Sequence, residues 1–181
     1  MRGETRSSRA LRHVKAHRLV KHLFFTSGKH YWEVFVSRMG KSGAVIIGAA
    51  PGEEFESETL NAPWSAWTTG AIGYAATGAI IKNGIEVGRA APFGEGDVVS
   101  VLLDMNKRVA RFFLNGHEQI VSLPDDHRPR MEQDSGGAVD PSTRTLKLCS
   151  FTQPAMFAAV TFSPDSDELD IYSMHAPPHA N

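Results

Sequence analysis

The chain has one cysteine, Cys149, so it cannot close an internal disulfide. It also lacks a secretory apolar segment near its start, and the two absences together predict a reducing intracellular compartment, cytoplasmic or nuclear. No apolar run approaches the roughly 20 residues that span a bilayer, so no membrane partner is expected. No Asn-x-Ser/Thr acceptor occurs. Helical periodicity is almost missing, and so is any repeat at about 40 residues, which argues against a propeller. A formal net charge of −1 over 181 residues gives no global pull towards nucleic acid or a membrane surface.

The charge is unevenly placed, however. The first 30 residues hold eight of the 19 basic side chains but only Glu4 of the 20 acids. Residues 1–18 therefore read as a basic tail or an edge segment. Two rival readings remain open for it: a mitochondrial transit-like segment, and an arm that attracts the phosphates of nucleic acid.

What the chain has in quantity is short apolar runs between turn residues. Residues 93–116 (FGEGDVVSVLLDMNKRVARFFLNG) read as a β-hairpin. The run 98–103 is apolar at nearly every position, so both of its faces are expected to be covered. The run 109–114 carries Arg111, so one of its faces is expected to be wetter. Asn115-Gly116 and Asn83-Gly84 are tight-turn signals, because both residue types tolerate positive φ. Further strands are expected at 19–25, 30–36, 44–50, 71–74, 79–82, 85–87, 119–123, 146–151, 156–162 and 169–172. Gly48 inside its strand predicts a bulge or a close approach of backbones. Residues 124–143 hold prolines, aspartates and adjacent glycines with no aromatic, and read as a surface insertion. Many short strands with glycine-rich turns predict an all-β sandwich.

Three stretches together resemble the SPRY domain family. SGKHYWEV (27–34) is similar to the family's signature strand. GEGDVVSVLLDM (94–105) with RFFLNG (111–116) is similar to its hairpin, and FAAVTF (157–162) to its late closing strand. IGAA (47–50) and GAIGYAATG (70–78) fall between them in the expected order. The resemblance covers roughly residues 19–172, leaving 173–181 as a tail. It departs from the pattern at Ser100, where a small glycine is usual, and in the long 124–143 connection. The resemblance implies a bent antiparallel β-sandwich of two sheets with little or no helix. It also implies a non-catalytic protein–protein interaction module that binds a peptide or protein surface through loops at one edge. Relatives serve as substrate-recognition modules of ubiquitin ligases, in histone methyltransferase complexes, and inside ion channels and RNA helicases.

In relatives, the connection after the signature strand and the one after the Ile-Gly-Ala strand meet at one edge. Here these are 37–43 and 51–67, and they supply the candidate partner-binding residues. Arg38 and Lys41 offer cations for an acidic or phosphorylated peptide. Glu53, Phe55, Leu60, Trp64 and Trp67 offer an acidic and apolar surface, with tryptophan as the usual hot-spot residue. For Trp67, next to a strand, core packing is the competing reading. Tyr31, Trp32, Val34 and Phe112 are expected in the core, where each aromatic contributes about 2–3 kcal/mol on burial. Glu33 in an apolar strand requires a hydrogen-bond partner. Asp97, Asp104 and Asn115 read as turn formers.

The enzyme readings fail on spacing. Gly40-Lys41-Ser42 is similar to the end of a phosphate-binding loop, but Phe35 stands where that motif needs glycine. Gly94-x-Gly96 lacks its third glycine, since Val99 is there. His13 and His17 are four apart, yet no acid or cysteine at metal-site spacing accompanies them, so solvated histidines are expected. Cys149 reads as a small buried hydrophobe. No enzyme activity, cofactor or metal is predicted.

Overall fold

The structure is a computed structural model that describes residues 14–60, 64–123 and 140–174. Twelve strands form two antiparallel sheets. The chain runs through β1 (Val14–Phe25), β2 (Lys29–Arg38), β3 (Ile46–Ala50), a 3₁₀ turn (Glu53–Phe55) and β4 (Ser57–Leu60). It continues through β5 (Ile72–Ala75), β6 (Ala79–Lys82), β7 (Ile85–Arg89), β8 (Val98–Asp104), β9 (Val109–Leu114) and β10 (His117–Glu118). Helix α1 (Pro141–Leu148) precedes β11 (Met156–Phe162) and β12 (Glu168–Met174). One sheet has the order β4-β1-β11-β3-β5-β6-β7, and the other β10-β9-β8-β2-β12.

Side-chain alternation along each strand builds the layer between the sheets. In β2, Trp32, Val34 and Val36 face inward and are buried. They meet Val99, Val101 and Leu103 of β8, Phe112 of β9, and Ile47, Ile72, Tyr74 and Val160 of the opposite sheet. The Tyr74 ring lies edge-on to Phe93 and Phe112, with centroids 5.0 and 5.7 Å away, and its hydroxyl donates to the Ala91 carbonyl. Tyr31 faces the other way, onto a small outer cluster with Leu102 and Phe113. Its hydroxyl donates to Glu33 Oε1 at 3.0 Å, which supplies the partner that Glu33 requires.

The turn chemistry is as expected. Asn83 and Gly84 have φ of 53° and 81°, and Asn115 and Gly116 have 50° and 83°. Both pairs close two-residue hairpins, Lys82 opposite Ile85 and Leu114 opposite His117. Asp104 Oδ1 accepts from the Asn106 and Lys107 amides, and Asp97 Oδ2 from that of Gly94.

Three expectations are corrected. Residues 146–151 are not a strand: α1 covers 141–148. The Asp140 carboxylate accepts from the Ser142 amide and Pro141 occupies the first turn, a start signal that favours a helix. Residues 119–123 do not continue a ladder either. The Gln119 amide donates to the Phe112 carbonyl and that of Val121 to Thr145 Oγ1, so only Ser122 bridges to Arg89. Finally, β1 begins at Val14 and lies between β4 and β11, so residues 14–18 of the expected tail or edge segment belong to an inner strand. Of the expected insertion, 141–143 belong to α1, while 124–139 lie outside the described residues.

Candidate functional site

The site is built outward from the first residues of β1. Lys15 and His17 point to the outer face of the seven-stranded sheet, and both are buried. Lys15 Nζ donates to Ser163 Oγ at 2.8 Å and to Ser42 Oγ at 3.3 Å. That ties residues 37–43 to the sheet. The same loop is held at Gly40, whose amide donates to Asp167 Oδ1 at 2.8 Å, and at Met39, whose amide donates to Glu95 Oε1 at 3.2 Å. Asp167 is itself buried, and its Oδ2 accepts from the Ser163 amide at 2.7 Å.

His17 is not solvated, which corrects the expectation for it; His13 lies outside the described residues. Its Nδ1 is 2.7 Å from Thr161 Oγ1 and its Nε2 is 2.8 Å from Thr59 Oγ1. Trp67 Nε1–H donates to the same Thr161 hydroxyl at 2.7 Å. A chain in which Trp67 donates to Thr161, Thr161 to Nδ1, and Nε2–H to Thr59 satisfies every group. It requires the neutral imidazole. Burial, assisted by the Arg18 charge, lowers the His17 pKa to about 4. The unfolded chain takes up this proton near pH 6.5 and the folded one only near pH 4, so protons favour unfolding between those values. Stability is therefore expected to fall as pH drops from about 6.5 to about 4. His17→Gln should flatten the fall in that window, read as urea midpoints at several pH values.

Residues 51–60 and 64–69 fold back over this face and form a second small core. Phe55 and Trp67 meet edge-on at 4.8 Å, and both are buried with Leu19, Ile46 and Ala71. Gly73 leaves the space that the Trp67 ring occupies, since an added Cβ there would lie 2.7 Å from Trp67 Cζ3. Trp67 thus offers a partner no surface and Phe55 only a 4 % exposed edge, and as contact residues they are corrected to supports of the loop. The other candidates stay accessible. Arg38, Lys41, Glu53 and Leu60 are exposed, Leu60 at 63 %, and Trp64 is half-buried against the second core. Arg38 and Lys41 form no ion pair with a described residue.

The same register brings the two loops together. Lys15, which holds Ser42, lies opposite Thr59 in the β1–β4 ladder, and Val14 lies opposite Leu60. A recess of about 320 Å³ opens between residues 51–55 and 66–71, lined by Pro51, Glu54, Phe55 and Thr68 among others. Lys15 and His17 were missed by sequence reasoning; the alternation of Val14 and Ala16 with Lys15 and His17 was the available signal.

The basic segment offers little to phosphates where it is described. Lys15 is buried, and Arg18 pairs with Glu58 at 2.8 Å. Residues 1–13 of the candidate arm lie outside the described residues. Burial pushes the Cys149 thiol up to about 12, which keeps it protonated and a poor nucleophile. Among the described residues, no group of three His, Cys, Asp or Glu side chains is placed to hold a metal ion. No helix among them is long and apolar enough to cross a membrane.

The structure thus consists of two curled antiparallel sheets, with residues 37–43 held against the outer face of the larger one. The SPRY domain family model matches residues 29–129, more than half of the chain, and the chain belongs to that family. SPRY domains are generally protein-interaction modules without catalysis. The fold is similar to the crystal structure of the SPRY domain of human HERC1, with a TM-score of 0.57 and 19% identity over 90% of this chain and 85% of that one. The similarity covers a larger share of the chain than the family match does. No curated protein matched the chain.

Proposed function

We propose that this SPRY domain captures a short segment of a partner protein at the edge formed by residues 37–43 and 51–67. Arg38 and Lys41 pair with acidic groups of the segment. Leu60 and Trp64 take its apolar side chains, and Glu53 marks the acidic limit of the surface. The observation that carries this reading is the hydrogen-bonded set Lys15–Ser42–Ser163 and Trp67–Thr161–His17–Thr59, centred on the buried Lys15, His17, Thr161 and Trp67, which pins both loops while leaving those side chains accessible. Loops fixed in advance lose less entropy on binding, so rigid presentation favours recognition.

The test is affinity capture from native cell extract, with the intact chain and the double variant Arg38→Glu/Trp64→Ala as baits at low and high salt. The double variant should lose the partner at both salt concentrations while melting within about 3 °C of the parent, since half-exposed positions contribute little to stability. Equal capture by both baits rules the site out. Partners lost from both baits only at high salt would move binding to the basic N-terminal segment, because phosphate contacts are salt-dependent.

A further inference from the structure

The opposite sheet carries a second recess that the loop edge does not use. Between α1 and the outer face of the five-stranded sheet lies a cleft of about 480 Å³. Pockets of this volume ordinarily enclose small ligands or one or two peptide side chains. Its sheet side includes Leu102 of β8, which is buried, and Val109 of β9, which is half-buried. Two aliphatic side chains border it with much of their surface open, Ile120 at 58 % and Leu146 of α1 at 42 %.

The charges around the cleft are not equivalent. Glu118 is held by Arg111, with Nε to Oε1 at 2.5 Å and Nη2 to Oε2 at 2.7 Å. Asp104 Oδ1 is occupied by the Asn106 and Lys107 amides at 3.0 and 2.9 Å. Both carboxylates are thus committed to the wall. Lys29 and Lys107 also line the cleft, both are exposed, and neither forms an ion pair with a described residue. Two free cations beside exposed aliphatic side chains ask for a ligand with a carboxylate next to a branched apolar group.

We propose that this cleft is a second docking site, for an acidic, leucine-rich segment of a partner protein. Its carboxylates pair with Lys29 and Lys107, and its leucine side chain enters between Ile120 and Leu146 over Leu102 and Val109. A polyanion without apolar side chains fits less well, because it leaves the aliphatic border uncovered. The cleft lies on the outer face of the five-stranded sheet beside α1, whereas residues 51–60 and 64–69 of the loop edge cover the outer face of the seven-stranded one. The two therefore fill independently, and this inference does not rest on the loop-edge reading.

The experiment is an NMR titration of the ¹⁵N-labelled full chain with the tetrapeptide acetyl-Asp-Leu-Leu-Asp-amide, run beside the same titration with oligo(A) RNA. The expected result is saturable shifts concentrated at Lys29, Lys107, Ile120 and Leu146. The variant Lys29→Glu/Lys107→Glu should weaken peptide binding about tenfold or more. Leu146→Asp should weaken it while leaving the melting temperature near that of the parent, because Leu146 is an exposed helix position. Arg38→Glu/Trp64→Ala should bind the peptide as the parent does, so failure at the loop edge and failure here are separable. Absence of saturable shifts at the cleft overturns the proposal, as does undiminished affinity after charge reversal. Tighter binding of oligo(A) at the same residues would reassign the cleft to nucleic acid.

Discussion

Trp67→Ala is expected to destabilise the domain by about 3–5 kcal/mol, the range for removing a fully buried large aromatic. Trp67 has no accessible surface, packs edge-on to Phe55, and supplies the indole N–H that Thr161 accepts. Its removal opens a cavity beside Phe55 and takes a donor from a buried hydroxyl. For a domain of this size the loss corresponds to a fall in melting temperature of roughly 6–20 °C. Partner capture should fall with it, because the loop that carries Leu60 and Trp64 loses its base. Trp67→Phe should be intermediate, since it refills much of the volume without the N–H. Trp64→Ala is the contrast: a half-buried position is expected to cost about 1 kcal/mol or less. Thermal and urea denaturation of the three variants measure this. A Trp67→Ala protein that melts within about 2 °C of the parent would mean that the second core does not hold the loop.

Gly48→Ala is the second large effect. A Cβ at Gly48 would lie 2.0 Å from the Ile72 carbonyl oxygen and 2.7 Å from Gly73 Cα. Both are backbone atoms of β5, the strand paired with β3. No side chain can rotate away, so β3 and β5 must part in the middle of the seven-stranded sheet. Overpacking ordinarily costs about 1–3 kcal/mol, and a backbone clash in a central strand is expected at or above the top of that range. Gly52→Ala is the control, since its added Cβ meets nothing within 4 Å and its φ of −168° is extended backbone. Denaturation midpoints should separate the two variants clearly. Similar midpoints would contradict the packing described for β3 and β5.

What was legible in the sequence was local or periodic. The two Asn-Gly turns, the doubly covered β8, the half-wet β9 and the close approach at Gly48 all follow from residue type at short range. The aromatic and β-branched alternation of β2 likewise specified Trp32 and Val34 as core. What was not legible depends on partners far along the chain. Lys15 and His17 resemble a basic tail until Thr59, Thr161 and Ser163 are brought to them, from 42 to 148 positions away. Phe55 and Trp67 raised a different ambiguity. An aromatic in a loop reads alike as hot spot or as core, and only the fold-back of residues 51–60 and 64–69 decides. Helix α1 is eight residues long, too short for its period to stand out, and Asp140-Pro141 was its one local signal.

We propose that partners dock at the loop edge of the seven-stranded sheet. Hydrogen–deuterium exchange of the intact chain, alone and with a captured partner, tests it most directly. The prediction is slowed exchange on binding at the amides of residues 38–43, 57–60 and 64–69. Unchanged exchange at all three segments, with protection confined to other surfaces, would contradict it.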